Sequence, residues 1–208
     1  MRIVGLFVVA TVAALAVAGV GGAAPALAKT SVLCMVNEDP CPEEDIYSLK
    51  KEIGGGQGGT SFEVALPEVT ISCPIGKFFM VLSETEGPLV GKVTRWKPVN
   101  CGPEPCYFEA LETGYSAELE ATGGGDGTLT VVASNLLARC VSPICFYSTT
   151  PIEFTVEGGS YLEGSPPHMA TEAAMGLESG FGACGNPATL RAGYNIFEPG
   201  PVLYVSHR

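Results

Sequence analysis

Two histidines, His168 and His207, carry the only imidazole groups in this sequence of 208 residues. Imidazole is the side chain most often used for acid–base catalysis near neutral pH. His168 follows Pro166 and Pro167 in a predicted loop, and His207 stands beside the C-terminus. Neither G-x-S-x-G nor H-E-x-x-H is present. His168 is therefore the one candidate base for a hydrolase, although an exposed loop histidine is the simpler interpretation.

Pairs of glutamates are the other candidates for catalysis, because hydrolysis of a glycosidic bond needs only two acids that face each other. Glu118 and Glu120 occupy the polar positions of one alternating segment, and Glu153 and Glu157 occupy those of another. Solvation of the polar face of a strand explains both pairs. We therefore expect no catalytic residue and no cofactor.

Two glycine-rich segments are similar to ligand-binding loops but lack the necessary side chains. Asp126 lies within 123–127 without the further acids that a calcium site needs, and we interpret it as a turn residue. The glycines of 54–59 precede Thr60 and Ser61 without the lysine of a phosphate-binding loop. This second segment is predicted to be a flexible turn or short linker, and no metal site is expected.

The eight cysteines are the strongest chemical signal in the chain. Their number allows complete pairing, and their spacing does not match the C-x₂-C pairs of structural zinc sites. We therefore predict structural disulfides formed in an oxidising compartment. The residues are Cys34, Cys41, Cys73, Cys101, Cys106, Cys140, Cys145 and Cys184.

The disulfide connectivity has two interpretations. Short spacing favours local loops, in which Cys34 bonds to Cys41, Cys101 to Cys106 and Cys140 to Cys145. Each of the last two pairs encloses a turn that contains proline. That scheme leaves Cys73 to bond Cys184. The alternative joins Cys73 to Cys101 and Cys106 to Cys184, which would tie neighbouring strands together.

Adjacent aromatic residues suggest a binding surface. Tyr107 precedes Phe108, and Phe146 precedes Tyr147, each pair just after a cysteine. Because side chains alternate across a strand, one ring of each pair should enter the core while the other faces solvent or a covering loop. These four residues form the candidate aromatic binding face for sugars or protein.

The elements that must position these residues are predicted to be strands almost throughout. Apolar and polar residues alternate, or apolar residues run together, in segments separated by Gly and Pro turns. Only His168 to Leu177 has a composition suited to a helix, and a strand or coil is equally compatible with it. The strand segments are 62–66, 69–73, 78–82, 90–96, 115–121, 129–131, 152–156 and 202–205.

This pattern predicts an all-β, disulfide-stapled antiparallel sandwich or barrel with little or no helix outside a signal peptide. Residues 1–28 are interpreted as that signal peptide, cleaved after Ala28 in an A-x-A context, although an uncleaved membrane anchor is the alternative. Residues 29–60 form a Cys-loop and Gly-rich segment. They are expected to pack as one unit with a β domain at 61–208.

The charge limits the classes of partner. Loss of residues 1–28 removes Arg2 and no acid, so the net charge moves from −11 to −12. This balance opposes binding to nucleic acid or to an anionic membrane surface, because affinity for phosphate depends on Lys and Arg. Lys92, Arg95 and Lys97 form the one basic cluster after the signal segment.

Several short blocks resemble a group of exported proteins from soil actinobacteria to which no activity is assigned. The resemblance implies export and a β-rich build, and it transfers no functional residue. The blocks are Leu33-Cys34, Asn37-Glu38, Pro40-Cys41-Pro42, Val69 to Cys73, Gly123 to Val131 and Pro201 to Val205.

Together these observations predict a secreted protein, extracellular or associated with the cell wall, that acts as a non-catalytic binding or structural module. Its partner would be an extracellular ligand or a cell-wall component. Two alternatives stay open. One is a secreted hydrolase that uses glutamates or His168, and the other is a proteinase inhibitor that presents the 101–106 loop.

The intact mass of the secreted protein tests the export and disulfide predictions together. We expect the mass of residues 29–208 less eight hydrogens, and no alkylation without reductant, because all eight cysteines should be paired. Two or more free thiols would contradict the structural interpretation of the cysteines.

Overall fold

A computed structural model describes residues 29–48, 52–56, 61–84, 87–133, 135–149 and 151–208. The predicted signal peptide and its cleavage point after Ala28 lie outside the described residues. Sixteen strands and two single-turn 3-10 helices, Glu43–Asp45 and Tyr161–Glu163, make up the regular structure of these ranges. The prediction of an all-β fold is confirmed. No helix within the described ranges is long and apolar enough to cross a membrane.

The strands follow one another at short intervals, as the Gly and Pro turns predict. In chain order they are β1 (Ser31–Cys34), β2 (Ile53–Gly55), β3 (Ser61–Ala65), β4 (Thr70–Cys73), β5 (Ile75–Ser83), β6 (Leu89–Val99), β7 (Tyr107–Ala110), β8 (Tyr115–Gly123), β9 (Asp126–Val132), β10 (Leu136–Arg139), β11 (Ile144–Thr149), β12 (Ile152–Glu157), β13 (Gly159–Ser160), β14 (His168–Phe181), β15 (Ala188–Glu198) and β16 (Val202–His207).

Eight of these strands close into an antiparallel barrel. Their order is β15-β2-β5-β6-β8-β9-β12-β14, and β14 pairs with β15 to complete the ring. Closure gives each barrel strand a hydrogen-bonded neighbour on both sides. Of the two predicted architectures, the structure adopts the barrel.

A second sheet grows from the same closing pair, because β14 and β15 are longer than the barrel needs. The first residues of β14 pair with β12, and the last residues pair with β11. The order β7-β10-β11-β14-β15-β3-β4 therefore continues away from the barrel. The segment from His168 to Leu177 is thus a strand, since hydrogen bonding on both of its edges overrides the helical propensity of its Ala, Glu and Met residues.

A three-stranded sheet, β1-β16-β13, packs against the turn between β8 and β9. The backbone N–H of Val205 donates to the Gly125 carbonyl at 2.8 Å. A β-carbon on Gly127 would lie 2.9 Å from the Val205 side chain, so this glycine allows the close approach. Within this sheet, β1 pairs antiparallel with β16, the last strand of the chain.

The core is filled by the inward side chains of alternating strands and centres on aromatic rings. The ring centroid of Phe78 lies 5.8, 5.5 and 5.7 Å from those of Trp96, Phe154 and Tyr194. The indole Nε1 of Trp96 donates to the Tyr194 hydroxyl at 3.0 Å. Burial raises the pKa of Tyr194 far above its usual range, so this hydroxyl stays neutral and can accept the hydrogen bond.

All eight cysteines form disulfides, and their connectivity corrects the preferred prediction. Cys34–Cys41 is as expected, but the predicted 101–106, 140–145 and 73–184 bonds are wrong. Of the alternative scheme, the 73–101 bond is right and the 106–184 bond is wrong. The remaining three bonds are Cys73–Cys101, Cys106–Cys140 and Cys145–Cys184.

Strand pairing explains why the local bonds do not form. β10 runs antiparallel to β7, so Cys140 at the end of β10 meets Cys106 at the start of β7. In the same way, Cys145 lies opposite Gly180 near the end of β14, and this brings Cys184 within reach. The disulfides therefore join strands that are neighbours in space.

The predicted flexible linker at 54–59 is corrected at its start, because Gly54 and Gly55 lie in β2 and are buried. Residues 57–59 of that prediction lie outside the described residues. The short strand β2 forms the part of the barrel wall between β15 and β5. A β-carbon on Gly55 would lie 1.9 Å from the Asn195 carbonyl oxygen, which belongs to the backbone and cannot move aside. Glycine is needed here for close packing between strands.

Gly55→Ala should therefore destabilise the protein strongly. We expect a loss of about 3 kcal/mol or more in the free energy of unfolding, or failure to accumulate, because the barrel must widen at this point. Gly176→Ala is the matched control, since its β-carbon would meet nothing nearer than 3.9 Å. Its effect should stay within about 0.5 kcal/mol. Equal urea midpoints for the two variants would contradict this account of β2.

A side-chain contact ties the Cys34–Cys41 loop to β16. His207 Nδ1 lies 3.1 Å from Asp39 Oδ1. The adjacent Ser206 hydroxyl donates to the Glu38 carbonyl at 2.6 Å. The hydrogen bond from the His207 ring is the largest cause of a lowered pKa for Asp39, and burial opposes it more weakly.

This contact predicts a pH dependence of stability. Because folding lowers the pKa of Asp39, its carboxylate stabilises the native state above about pH 3.8, and the contribution is lost as the pH falls through the lowered value. Asp39→Asn should therefore lower the Tm by a few degrees at about pH 6, and this difference should shrink as the pH falls below about 3.8. A difference in Tm that is constant across this range would refute the assignment.

Candidate functional site

The structure divides the four predicted aromatic residues between the core and the surface. Phe108 is 3% exposed and Tyr147 is fully buried, so neither presents its ring on the outer face of the sheet. Tyr107 and Phe146 are half-buried on the opposite side of their strands. The predicted face is therefore corrected to its two outward members, and alternation of side chains along β7 and β11 is the reason.

Strand register places these two residues in an ordered surface, which we call the aromatic row. Arg139 on β10 pairs with Tyr107 on β7 and with Ile144 on β11, and Ile144 pairs with Phe181 on β14. The aromatic row is thus Tyr107, Arg139, Ile144 and Phe181. It crosses three strand spacings, or about 14 Å. Phe146 lies beside it, two residues along β11 from Ile144.

Phe181 is the most exposed aromatic side chain of this face. It is 73% exposed, and Val141 in the neighbouring turn is 80% exposed. Sequence reasoning missed Phe181 because it did not assign the end of β14 to a strand. Arg139 was missed because β10 was not predicted, and only the register shows that Arg139 lies between Tyr107 and Ile144. The signal available in the sequence was an aromatic residue between two glycines, Gly180 and Gly182.

Polar contacts orient the middle of the aromatic row. Arg139 Nη1 donates to the Tyr107 hydroxyl over 3.4 Å. Both side chains are otherwise accessible, so the guanidinium keeps donors directed to solvent. The face therefore combines flat apolar rings with a cation at its centre.

A groove of about 510 Å³ lies beside the row, between β6 and β7. Tyr107 belongs to both the groove and the row. Trp96 and Phe108 are buried, and Arg95 and Lys97 on β6 are exposed. The lining residues are Thr94, Arg95, Trp96, Lys97, Pro98, Tyr107, Phe108, Glu109, Ala110, Glu112 and Thr113.

The structure gives each histidine a side-chain partner that is not a nucleophile. His168 Nδ1 lies 3.0 Å from the amide oxygen of Asn195, not from a carboxylate. His207 has Asp39 as its partner, but the adjacent Ser206 hydroxyl donates to the Glu38 carbonyl. A serine nucleophile must instead be activated by the imidazole. Neither contact therefore places an imidazole nitrogen against a nucleophile.

One of the four candidate glutamates lines a groove, and the other three are exposed on their strands. Glu118, Glu120 and Glu157 are exposed on their strands. Glu153 lines a second groove of about 620 Å³ together with Glu172, at the point where β12 and β14 diverge. Two carboxylates in one concavity are the arrangement that a glycoside hydrolase requires.

Electrostatics weaken a catalytic interpretation of that second groove. Glu172 Oε1 lies 2.9 Å from Arg191 Nη2, and this hydrogen bond is the main cause of a lowered pKa for Glu172. A general acid needs a raised pKa so that it holds its proton near neutral pH. Glu172 is therefore held as a carboxylate, and it is 62% exposed.

Asp126 has a structural role. Its Oδ1 accepts a hydrogen bond from the Gly158 backbone N–H at 2.9 Å, which links two turns. Within the described ranges no three His, Cys, Asp or Glu side chains come together in a group able to hold a metal ion.

The 101–106 segment does not form the closed loop that the inhibitor hypothesis predicted. Cys101 and Cys106 bond to different strands, and the segment between them is a tight turn in which the Cys106 N–H donates to the Pro103 carbonyl at 2.7 Å. This turn differs from the extended segment that a proteinase cleft binds.

Comparisons of this chain with protein families, with curated proteins and with solved structures found no match. Its resemblance to exported actinobacterial proteins therefore stays a prediction, and the functional argument rests on the geometry of the aromatic row and its adjacent groove.

Proposed function

We propose that the protein is an exported, non-catalytic module that binds extended polysaccharide outside the cell or in the cell wall. The observation that carries this proposal is the aromatic row with the neighbouring Phe146, on the outer face of β7, β10, β11 and β14. A pyranose ring presents a face of C–H groups that packs on an aromatic ring, while its hydroxyls bond to nearby polar groups. Rings beside a guanidinium match both needs.

The exposure of these side chains supports a binding role. Large apolar side chains gathered on one surface mark interaction sites more often than isolated ones do. Phe181 and Val141 are both more than two-thirds exposed. Ile144 and Phe146 lie on β11, next to β14, on the same face of the sheet as Phe181. The sheet holds the rings of Tyr107, Phe146 and Phe181 in a fixed register, which suits a linear ligand.

Rigidity supports the same role. Two disulfides, Cys106–Cys140 and Cys145–Cys184, lie at or beneath the strands that carry the row. Cys145 separates Ile144 from Phe146 along β11, and Cys140 follows Arg139 directly. Bracing of this kind lowers the entropy lost on binding, because the face is already ordered.

The disulfides also support export. Four such bonds are typical of proteins that fold in an oxidising compartment. Together with the predicted signal peptide, they favour action outside the cytoplasm, where polysaccharide is the abundant extended ligand.

A hydrolase remains the second candidate function, because the groove between β12 and β14 holds Glu153 and Glu172. The ion pair of Glu172 with Arg191 argues against it, since it keeps Glu172 ionised. The two candidates predict different products: a binding module leaves the polysaccharide intact, and a hydrolase creates new reducing ends.

Phe181→Ala should weaken polysaccharide binding about tenfold, equivalent to about 1.4 kcal/mol, because it removes the most accessible ring. Binding would be measured by co-sedimentation with cellulose, chitin and purified cell-wall sacculi, and by affinity electrophoresis with soluble glucans. Leu162→Ala is the matched control, since Leu162 is 81% exposed on a different surface and should bind like the wild type.

Failure of the wild type to bind any of these polysaccharides would overturn the proposal, and so would unchanged binding by Phe181→Ala. Reducing ends would be assayed in the same mixtures. If they appeared with the wild type and not with Glu153→Gln, the hydrolase would replace the binding module.

A further inference from the structure

The outer face of the β5–β6 hairpin concentrates positive charge on an acidic protein. The sequence has 22 acidic residues against 11 Lys and Arg, yet four of those 11 cations are exposed on these two strands. We call these residues the basic patch: Lys77, Lys92, Arg95 and Lys97.

The register within the basic patch sets like charges against each other. Lys77 on β5 lies directly opposite Lys97 on β6, and Phe79 lies opposite Arg95. Like charges in directly opposed positions destabilise a sheet. Along the described ranges, no member of the patch takes part in an ion pair. An anion bound between the two ammonium groups would reduce this repulsion.

Arg95 is positioned while it remains accessible. Its guanidinium carbon lies 5.2 Å from the centroid of the Phe79 ring, and Phe79 in turn packs edge-on against Phe197 at 5.9 Å. The cation–π contact uses the flat face of the guanidinium and leaves its N–H donors directed outward. Arg95 is therefore an oriented donor for a carboxylate or phosphate.

The groove between β6 and β7 joins the basic patch to the aromatic row. Arg95 and Lys97 line it on the β6 side and Tyr107 on the β7 side, and Tyr107 contacts Arg139. A glycan chain that extends over the surface from Lys77 to Phe181 would cross β5, β6, β7, β10, β11 and β14 in turn. Cations then stand at one end of this path and exposed rings at the other.

Two acids also line the groove, and they help to define the ligand. Glu112 accepts a hydrogen bond from the Asn135 side chain, so it is engaged within the protein. Glu109 is exposed on β7 and can accept hydrogen bonds from hydroxyl groups. A site that offers cations, an acceptor and aromatic rings matches a charged sugar better than a bare inorganic anion.

We propose that the polysaccharide is anionic and that the groove between β6 and β7, with the basic patch, binds its carboxylate or phosphate groups. This inference rests on the proposed function and names its ligand class. The net charge of −11 repels a densely charged duplex at long range, whereas a glycan with sparser charge can meet the patch locally. Nucleic acid is therefore not the expected ligand.

The test compares an anionic polymer with its neutral ester and adds a second anionic polymer that carries phosphate. Polygalacturonate and its fully methyl-esterified form have the same backbone, and purified wall teichoic acid supplies phosphate in place of carboxylate. We expect the wild type to bind at least one anionic polymer more tightly than the neutral ester, with affinity that falls as salt is added. The tighter anionic polymer identifies the anion.

Lys97→Gln should weaken binding to the preferred anionic polymer about fivefold, or about 1 kcal/mol, and reduce the dependence on salt. Its binding to the neutral ester should not change. Lys29→Gln removes the same charge from an exposed position outside the patch and is the matched control. Loss of the Lys77–Lys97 repulsion should keep the variant folded, which a thermal melt would verify.

Equal binding of the anionic and neutral polymers would overturn this inference, as would equal affinities of Lys97→Gln and Lys29→Gln. Tighter binding to a DNA duplex than to either anionic glycan would overturn it as well. The proposed function would survive these results if Phe181→Ala still weakened binding to neutral polysaccharide. Failure of the wild type to bind any glycan would refute both.

Discussion

The pairing of β14 with β15 is the interaction on which the rest of the structure depends. Eight residue pairs, from His168–Asn195 to Met175–Ala188, close the barrel and remove its open edges. The same two strands then extend beyond the barrel and supply the start of the second sheet. Phe181 lies at the far end of β14, so the candidate site depends on the strand pair that completes the barrel.

The two faces of the second sheet differ in exposure to solvent. Inward residues such as Phe108 and Tyr147 are buried, and the Tyr147 hydroxyl donates to the Gly185 carbonyl at 3.1 Å. Outward residues on the same strands, Tyr107 and Phe146, remain accessible. Two disulfides hold the strands together at this end, which helps the surface to keep its register.

The net charge of this protein is negative, but the basic patch beside the groove is positive. The overall balance of −11 describes the field far from the molecule, where screening leaves little detail. Near the surface, the groove brings the basic patch next to Tyr107, and Tyr107 in turn contacts Arg139 among the exposed rings. The sequence indicated the cluster at Lys92, Arg95 and Lys97, but only pairing with β5 adds Lys77 and brings the cluster to the groove.

The sequence by itself determined the all-β class, eight of the sixteen strands and the pairing of every cysteine in some disulfide. Alternation between residues i and i+2 is local, so β8, β9 and β12 were predictable from their patterns. The tertiary structure decided which strands are neighbours, and through this the disulfide partners, the burial of Gly55 and the strand conformation of 168–177. It also decided that Phe181 and Arg139 share a face with Tyr107. Strand register depends on contacts between residues far apart in the chain, and no local pattern encodes them.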